Sequence, residues 1–166
     1  MTLGRHDEHE LRDAIQGYRA AAARLTKAAQ DGSVATTVRE CLRVRLAVLM
    51  IEDDPTWPEL VERYLNANGF RASVRRVESY DGIAMALQDE TPDVILCDHS
   101  MPGLDSMGAL EFVRSVAPGM PFLVLSGTLP ESDGATVMDL GASDFIQKSS
   151  LDRLAPAIRR ELARSA

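Results

Sequence analysis

Five short apolar runs alternate with five helical patterns through the last three-quarters of this chain, and no other feature restricts its fold as severely. Periodicity predicts strands over 46–51, 72–77, 93–98, 121–125 and 144–148, and helices over 58–68, 81–90, 106–116, 131–140 and 154–164. Val94-Ile95-Leu96-Cys97 carries no charge, as a strand covered on both faces requires. Arg75 and Arg76 interrupt the second run and mark it as an edge. Pro58 falls in the first turn of one helix and Gly69 just past its end. This alternation gives an α/β fold: a doubly wound five-stranded parallel sheet, with helices on both faces and right-handed crossovers.

Ahead of it, residues 7–30 place Leu11, Ile15, Tyr18, Ala22, Leu25 and Ala29 at spacings of four and three, the seam of a coiled coil or of a docked helix. Asp31-Gly32-Ser33 ends that pattern. The chain therefore divides into a helical extension over 1–44, suited to dimerisation or docking, and a main domain over 45–166.

The two parts differ in charge. Residues 1–44 hold seven Lys/Arg against six Asp/Glu, and residues 45–166 hold eleven against nineteen. An acidic domain repels phosphate backbones, which excludes nucleic acid as a partner. No run approaches the roughly 20 apolar residues of a membrane span, and the polar N-terminus is no signal peptide. Cys41 and Cys97 are too few for a disulfide framework, so the expected location is cytoplasmic.

Four of the predicted strands end in polar residues: Glu52-Asp53, Asp98, Ser126 and Lys148. In a parallel sheet these ends share one edge, the edge where open α/β folds bind ligands. Read alone, Asp98 is only a solvated aspartate opening a loop, with Met101-Pro102-Gly103 stopping the chain from continuing as strand or helix. Read together, three carboxylates repel one another unless a divalent cation joins them, and an oxygen-only donor set suits Mg²⁺. A lysine and a hydroxyl beside that cation describe a cradle for a phosphoryl group.

With these residues in these positions, 45–165 resembles the receiver domain of bacterial two-component response regulators. The resemblance implies a flavodoxin-like sheet of order 2-1-3-4-5. It implies that Asp98 is the phosphoacceptor, in a Mg²⁺-dependent reaction with a sensor histidine kinase or a histidine phosphotransfer protein. Asp53 and Asp98 become direct metal ligands, with the backbone carbonyl of Ser100 as a third and Glu52 reaching the ion through water. Lys148 pairs with the phosphoryl oxygens, and Ser126 and Phe145 form the switch that follows them. Ser149 stands where the family usually has a proline, and Phe145 lacks the hydroxyl of a tyrosine. His9-Glu10-Leu11-Arg12 resembles the phosphoacceptor box of histidine kinases, but Asp13-Ala14 replaces the usual Thr-Pro, and a solvated histidine is the preferred reading.

Other residues carry less. Trp57, the only tryptophan, is a candidate partner contact or a packing residue over a helix start. Cys97 and Asp98 point to opposite faces of a strand and do not share a zinc ion, so Cys97 belongs to the core. Acids stand where a nucleotide-binding glycine loop would follow the first strand. Arg159, Arg160 and Arg164 are expected to serve the dipole of the last helix. The expected protein is a non-enzymatic phosphoryl acceptor without an output domain, signalling through protein contacts and forming a homodimer through residues 7–30. The rivals are a phosphorylation-independent scaffold that signals through its N-terminal helix, and a hydrolase using Asp98. Against the hydrolase, Ser100 stands where many aspartate-based phosphatases have a second aspartate.

Overall fold

A computed structural model describes residues 43–127 and 131–165, with Gln16, Ala20, Ala23, Arg24 and Lys27 as single helical positions. The seam residues Leu11, Ile15, Tyr18, Ala22, Leu25 and Ala29 of the expected dimer helix, and His9, lie outside the residues described. The compact unit Val44–Ala166 runs β1 (Val44–Ile51), α1 (Trp57–Ala67), β2 (Phe70–Val77), α2 (Tyr80–Asp89), β3 (Val94–Asp98), β4 (Ser100–Met101), β5 (Leu104–Asp105), α3 (Ser106–Val116), β6 (Phe122–Ser126), α4 (Glu131–Asp139), β7 (Asp144–Gln147), a 3₁₀ stretch (Lys148–Arg153) and α5 (Leu154–Ser165).

The sheet is parallel, in the order β2-β1-β3-β6-β7. Among its own five strands this is the expected order 2-1-3-4-5, with β2 at an edge as its arginines required. Alternation along each strand builds two cores. Leu46, Val48 and Met50 of β1, Leu96 of β3 and Leu123 and Leu125 of β6 face Val61 and Leu65 of α1 and Ile158 of α5. Leu49, Ile51, Ile95, Cys97, Phe122 and Val124 face Ile83 of α2, Leu110 and Val113 of α3 and Val137 of α4. Period-two strands with no polar face thus bury both sides, the sign of a sheet covered by helices on each.

Several details depart from the sequence reading. Met101-Pro102-Gly103 does not merely end a strand: β4 and β5 pair antiparallel around Pro102-Gly103 as a small hairpin. Gly103 takes φ 78°, a backbone angle that glycine adopts without steric penalty and that a type II turn needs after proline. Of the C-terminal arginines only Arg164 lies in the last turn of α5, where a dipole role was expected, and all three have specific partners. Arg159 donates to the Asn68 carbonyl and stacks over Phe70, Arg160 pairs with Asp144 and Glu161, and Arg164 pairs with Glu161.

Arg114 ties the far end of the sheet together. From α3 its guanidinium donates to the carbonyls of Met120 and Gly141, each at 2.7 Å, joining the loops that enter β6 and leave α4. Arg114→Ala leaves both carbonyls without this donor. We expect a loss of about 2 kcal/mol in urea unfolding, since charged hydrogen bonds contribute more than neutral ones. Unfolding midpoints that coincide with wild type would contradict this role.

Candidate functional site

The acidic pair sits where β1 stops. Glu52 N–H donates to the Val77 carbonyl, so the chain leaves the sheet still anchored to β2. Arg76 of β2 then fixes the loop, donating from one guanidinium nitrogen to the carbonyls of Glu52 (3.0 Å) and Asp53 (3.2 Å) and to the Glu78 carboxylate (2.8 Å). Asp54 braces the turn before α1: its Oδ1 accepts from the Thr56 N–H at 2.9 Å and the Thr56 hydroxyl at 2.7 Å. Those bonds hold the Asp54 carboxyl below its usual pKa. The loop is therefore rigid at both ends.

β3 delivers Asp98 from the middle of the sheet, and its residue stays 8% exposed. Glu52 is more enclosed, at 1%. One carboxylate oxygen from each of Glu52, Asp53 and Asp98 lies within 4.8 Å of the others. Among the described residues this is the one such cluster of metal-ligating side chains. Adjacent ligands of an octahedral Mg²⁺ stand about 2.9 Å apart and opposite ones about 4.2 Å, so the oxygens draw together if they share that ion directly, and one that reaches it through water need not. Oxygen-only donors, one of them on the surface, suit a hard divalent cation that keeps part of its water.

Lys148 arrives at the end of β7. Its Nζ lies 2.8 Å from Glu52 Oε2 and 3.2 Å from Asp98 Oδ1, and its side chain is 12% exposed. The other oxygen of Glu52 accepts the Asp54 N–H at 3.2 Å. Burial raises the Glu52 pKa above the usual carboxylate range, and the Asp98 charge adds to this. The Lys148 hydrogen bond and the Asp54 N–H act in the opposite direction. Three carboxylates against one ammonium leave the pocket anionic, which is the electrostatic condition for a cation site.

The remaining predicted residues occupy the same edge. Ser126 ends β6 with the residue 1% exposed; Asp98 is in register with its neighbour Leu125, and Ser126 with Gln147 of β7. Phe145 is half-buried on β7 against α4. A Cβ on Gly134 would lie 3.2 Å from its ring, so the glycine makes room for the phenyl group. Ser100 opens β4 and is exposed. Beyond Lys148 the chain enters the 3₁₀ stretch directly, and no peptide bond among the described residues is cis. Cys97 faces the α2–α3 core and donates to the Asp98 carbonyl. Burial, with the nearby carboxylates, pushes its thiol far above the usual range, which keeps it out of metal chemistry.

Sequence reasoning missed three supports of this site. Arg76 looked only like an edge marker, yet it holds the acidic loop. His99 Nδ1 lies 2.8 Å from the fully buried Ser106 hydroxyl, joining the residue after Asp98 to the start of α3. Trp57, read as a partner contact or as packing over a helix start, does pack against the α1–α5 core, and it also lies under Lys148 Nζ at 4.3 Å from the ring centroid. None of these pairings has a short-range signature.

Comparison with known proteins adds an independent line. The family model described as the response regulator receiver domain matches residues 48–159. The response regulator MprA of Mycobacterium avium is 30% identical over 123 residues, which make up 72% of this chain and 52% of that protein. MprA of Mycobacterium bovis is 31% identical over 121 residues, 71% of this chain and 51% of that one. The chain thus spans about half the length of the relatives it matches. A putative response regulator from Chloroflexus aurantiacus superposes with a TM-score of 0.64 at 27% identity, over 72% of this chain and 99% of that one. A response regulator receiver domain protein from Clostridium thermocellum gives the same TM-score at 23% identity, over 72% and 96%, and so shares the fold.

Proposed function

This chain belongs to the response regulator receiver domain family, and on that premise we propose that Asp98 accepts a phosphoryl group from a phosphorylated histidine of a sensor histidine kinase or histidine phosphotransfer protein. The observation that carries the reading is the Lys148 ammonium 3.2 Å from a nearly buried Asp98, beside two further carboxylates. Asp98 supplies a carboxylate oxygen to phosphorus. The P–O bond forms as the P–N bond breaks, and the P–N electron pair returns to the donor ring, which leaves neutral when its other nitrogen carries a proton. Lys148 lies where it can turn an N–H to the incoming oxygens. Ser126 and Phe145 are the residues through which the phosphorylated form alters the surface near α4 and β7.

Asp53, Asp98 and the Ser100 carbonyl would hold Mg²⁺, with Glu52 behind a water. When bound, the ion neutralises charge gathering on the phosphoryl oxygens. Signalling then passes through protein contacts; no helix among the described residues is long and apolar enough to cross a membrane.

The test is direct. Wild-type protein with Mg²⁺ and a small acyl phosphate should gain the mass of one phosphoryl group, and a chelator added first should abolish the gain. Steady turnover of unrelated phosphate esters would instead indicate a hydrolase. No adduct under any of these conditions would leave the scaffold reading in its place.

A further inference from the structure

We propose that Trp57 is a positioning residue for Lys148: its indole face is the seat on which the ammonium rests when the carboxylates turn to a divalent cation. The geometry encloses the ammonium on three sides. Glu52 Oε2 stands at 2.8 Å, Asp98 Oδ1 at 3.2 Å and the Trp57 ring centroid at 4.3 Å. Trp57 is the first residue of α1, half-buried and packed against the α1–α5 core, so the ring is held rather than free to swing.

The need for such a seat follows from charge. A divalent cation that binds Asp98 directly and draws on Glu52 through water competes with Lys148 for both carboxylates. An ammonium only 12% exposed cannot retreat into bulk water at no cost. An aromatic face attracts a cation most strongly when water is excluded, and tryptophan does so best. Seated on the indole, Lys148 keeps its charge partly compensated and its N–H groups aimed back at Asp98. Without the ring, cation entry draws away the two carboxylates that Lys148 pairs with and leaves it no aromatic face in exchange.

This deepens the phosphoryl-acceptor reading and takes its consequence from it, but the decisive measurement does not depend on phosphotransfer. Mg²⁺ affinity is measured by calorimetry on the full chain in a double-mutant cycle of Trp57→Leu and Lys148→Met, with thermal melts to confirm folding. Trp57→Leu should weaken Mg²⁺ binding about fivefold when Lys148 is present and leave it unchanged in the Lys148→Met background. Trp57→Phe, which keeps a weaker aromatic face, should recover part of the loss and serves if the leucine variant folds poorly. Equal losses in both backgrounds would make Trp57 a purely structural residue and overturn the proposal, as would no loss in either.

A second arm separates the two readings. If wild type forms the adduct, Trp57→Leu should slow its formation by a similar factor at saturating Mg²⁺. If wild type forms none, the phosphoryl-acceptor reading fails, while the calorimetric coupling still decides the role of Trp57.

Discussion

Asp98→Asn should take up no phosphoryl group from a small acyl phosphate under conditions that load wild type, with at least a hundredfold loss expected in the rate of adduct formation. An amide oxygen lacks the negative charge that makes the carboxylate a nucleophile, and no described neighbour in the pocket is free to replace it. Glu52 has both oxygens engaged, by Lys148 and by the Asp54 N–H. Asp53 stands on the exposed side of the cluster. The substitution should leave the fold intact, which separates chemistry from stability. Asparagine loses the attraction to Lys148 and also the repulsion from Glu52 and Asp53. These opposed charge effects nearly offset, so the urea midpoint of metal-free protein should change by no more than about 1 kcal/mol. Intact-mass spectra and urea curves on the same preparations check both halves. An adduct that persists in Asp98→Asn would move the acceptor to another side chain, which peptide mapping would identify.

The sheet was legible in the sequence because its information is local. Each buried strand carries an uncharged run, each helix a stop, and β2 carries the arginines that an edge tolerates. The strand-end residues Glu52, Asp53, Asp98, Ser126 and Lys148 followed from topology alone, since parallel strands put their C-terminal ends on one side. The hairpin of β4 and β5 was not legible, because two-residue strands have no period to read. Nor were the pairings that make the site rigid. Lys148 meets Glu52 across 96 positions and Arg76 meets the Glu52 carbonyl across 24. A long flexible side chain has no sequence mark for the partner it reaches. Arg159, Arg160 and Arg164 show the same blindness: helix position suggested a dipole role, while their partners are Asn68 in the α1–β2 turn, Asp144 of β7 and Glu161 of α5 itself.

Lys148→Met should destabilise the metal-free protein by about 3 kcal/mol at neutral pH, because it leaves Glu52 almost fully enclosed without its counter-ion. The loss should depend on pH in a definite direction. Burial already lifts the Glu52 pKa in the folded state, against the lowering effect of the Lys148 hydrogen bond. Removing Lys148 raises it further. A carboxyl with a raised folded pKa contributes stability that is fully present below its unfolded pKa and is lost as pH rises through the folded value. The deficit of the variant relative to wild type should therefore be small near about pH 4, grow through the range above the usual carboxylate pKa, and level off once Glu52 is ionised in the folded state. Glu52→Gln in the same chain removes the buried charge, so the double variant should recover most of the loss, whereas independent sites would add their costs. Urea unfolding of the two single variants, the double variant and wild type across that pH range measures both effects. A pH-independent deficit with no rescue by Glu52→Gln would mean that Lys148 supports the fold through its methylene packing, and that the ion pair contributes little to it.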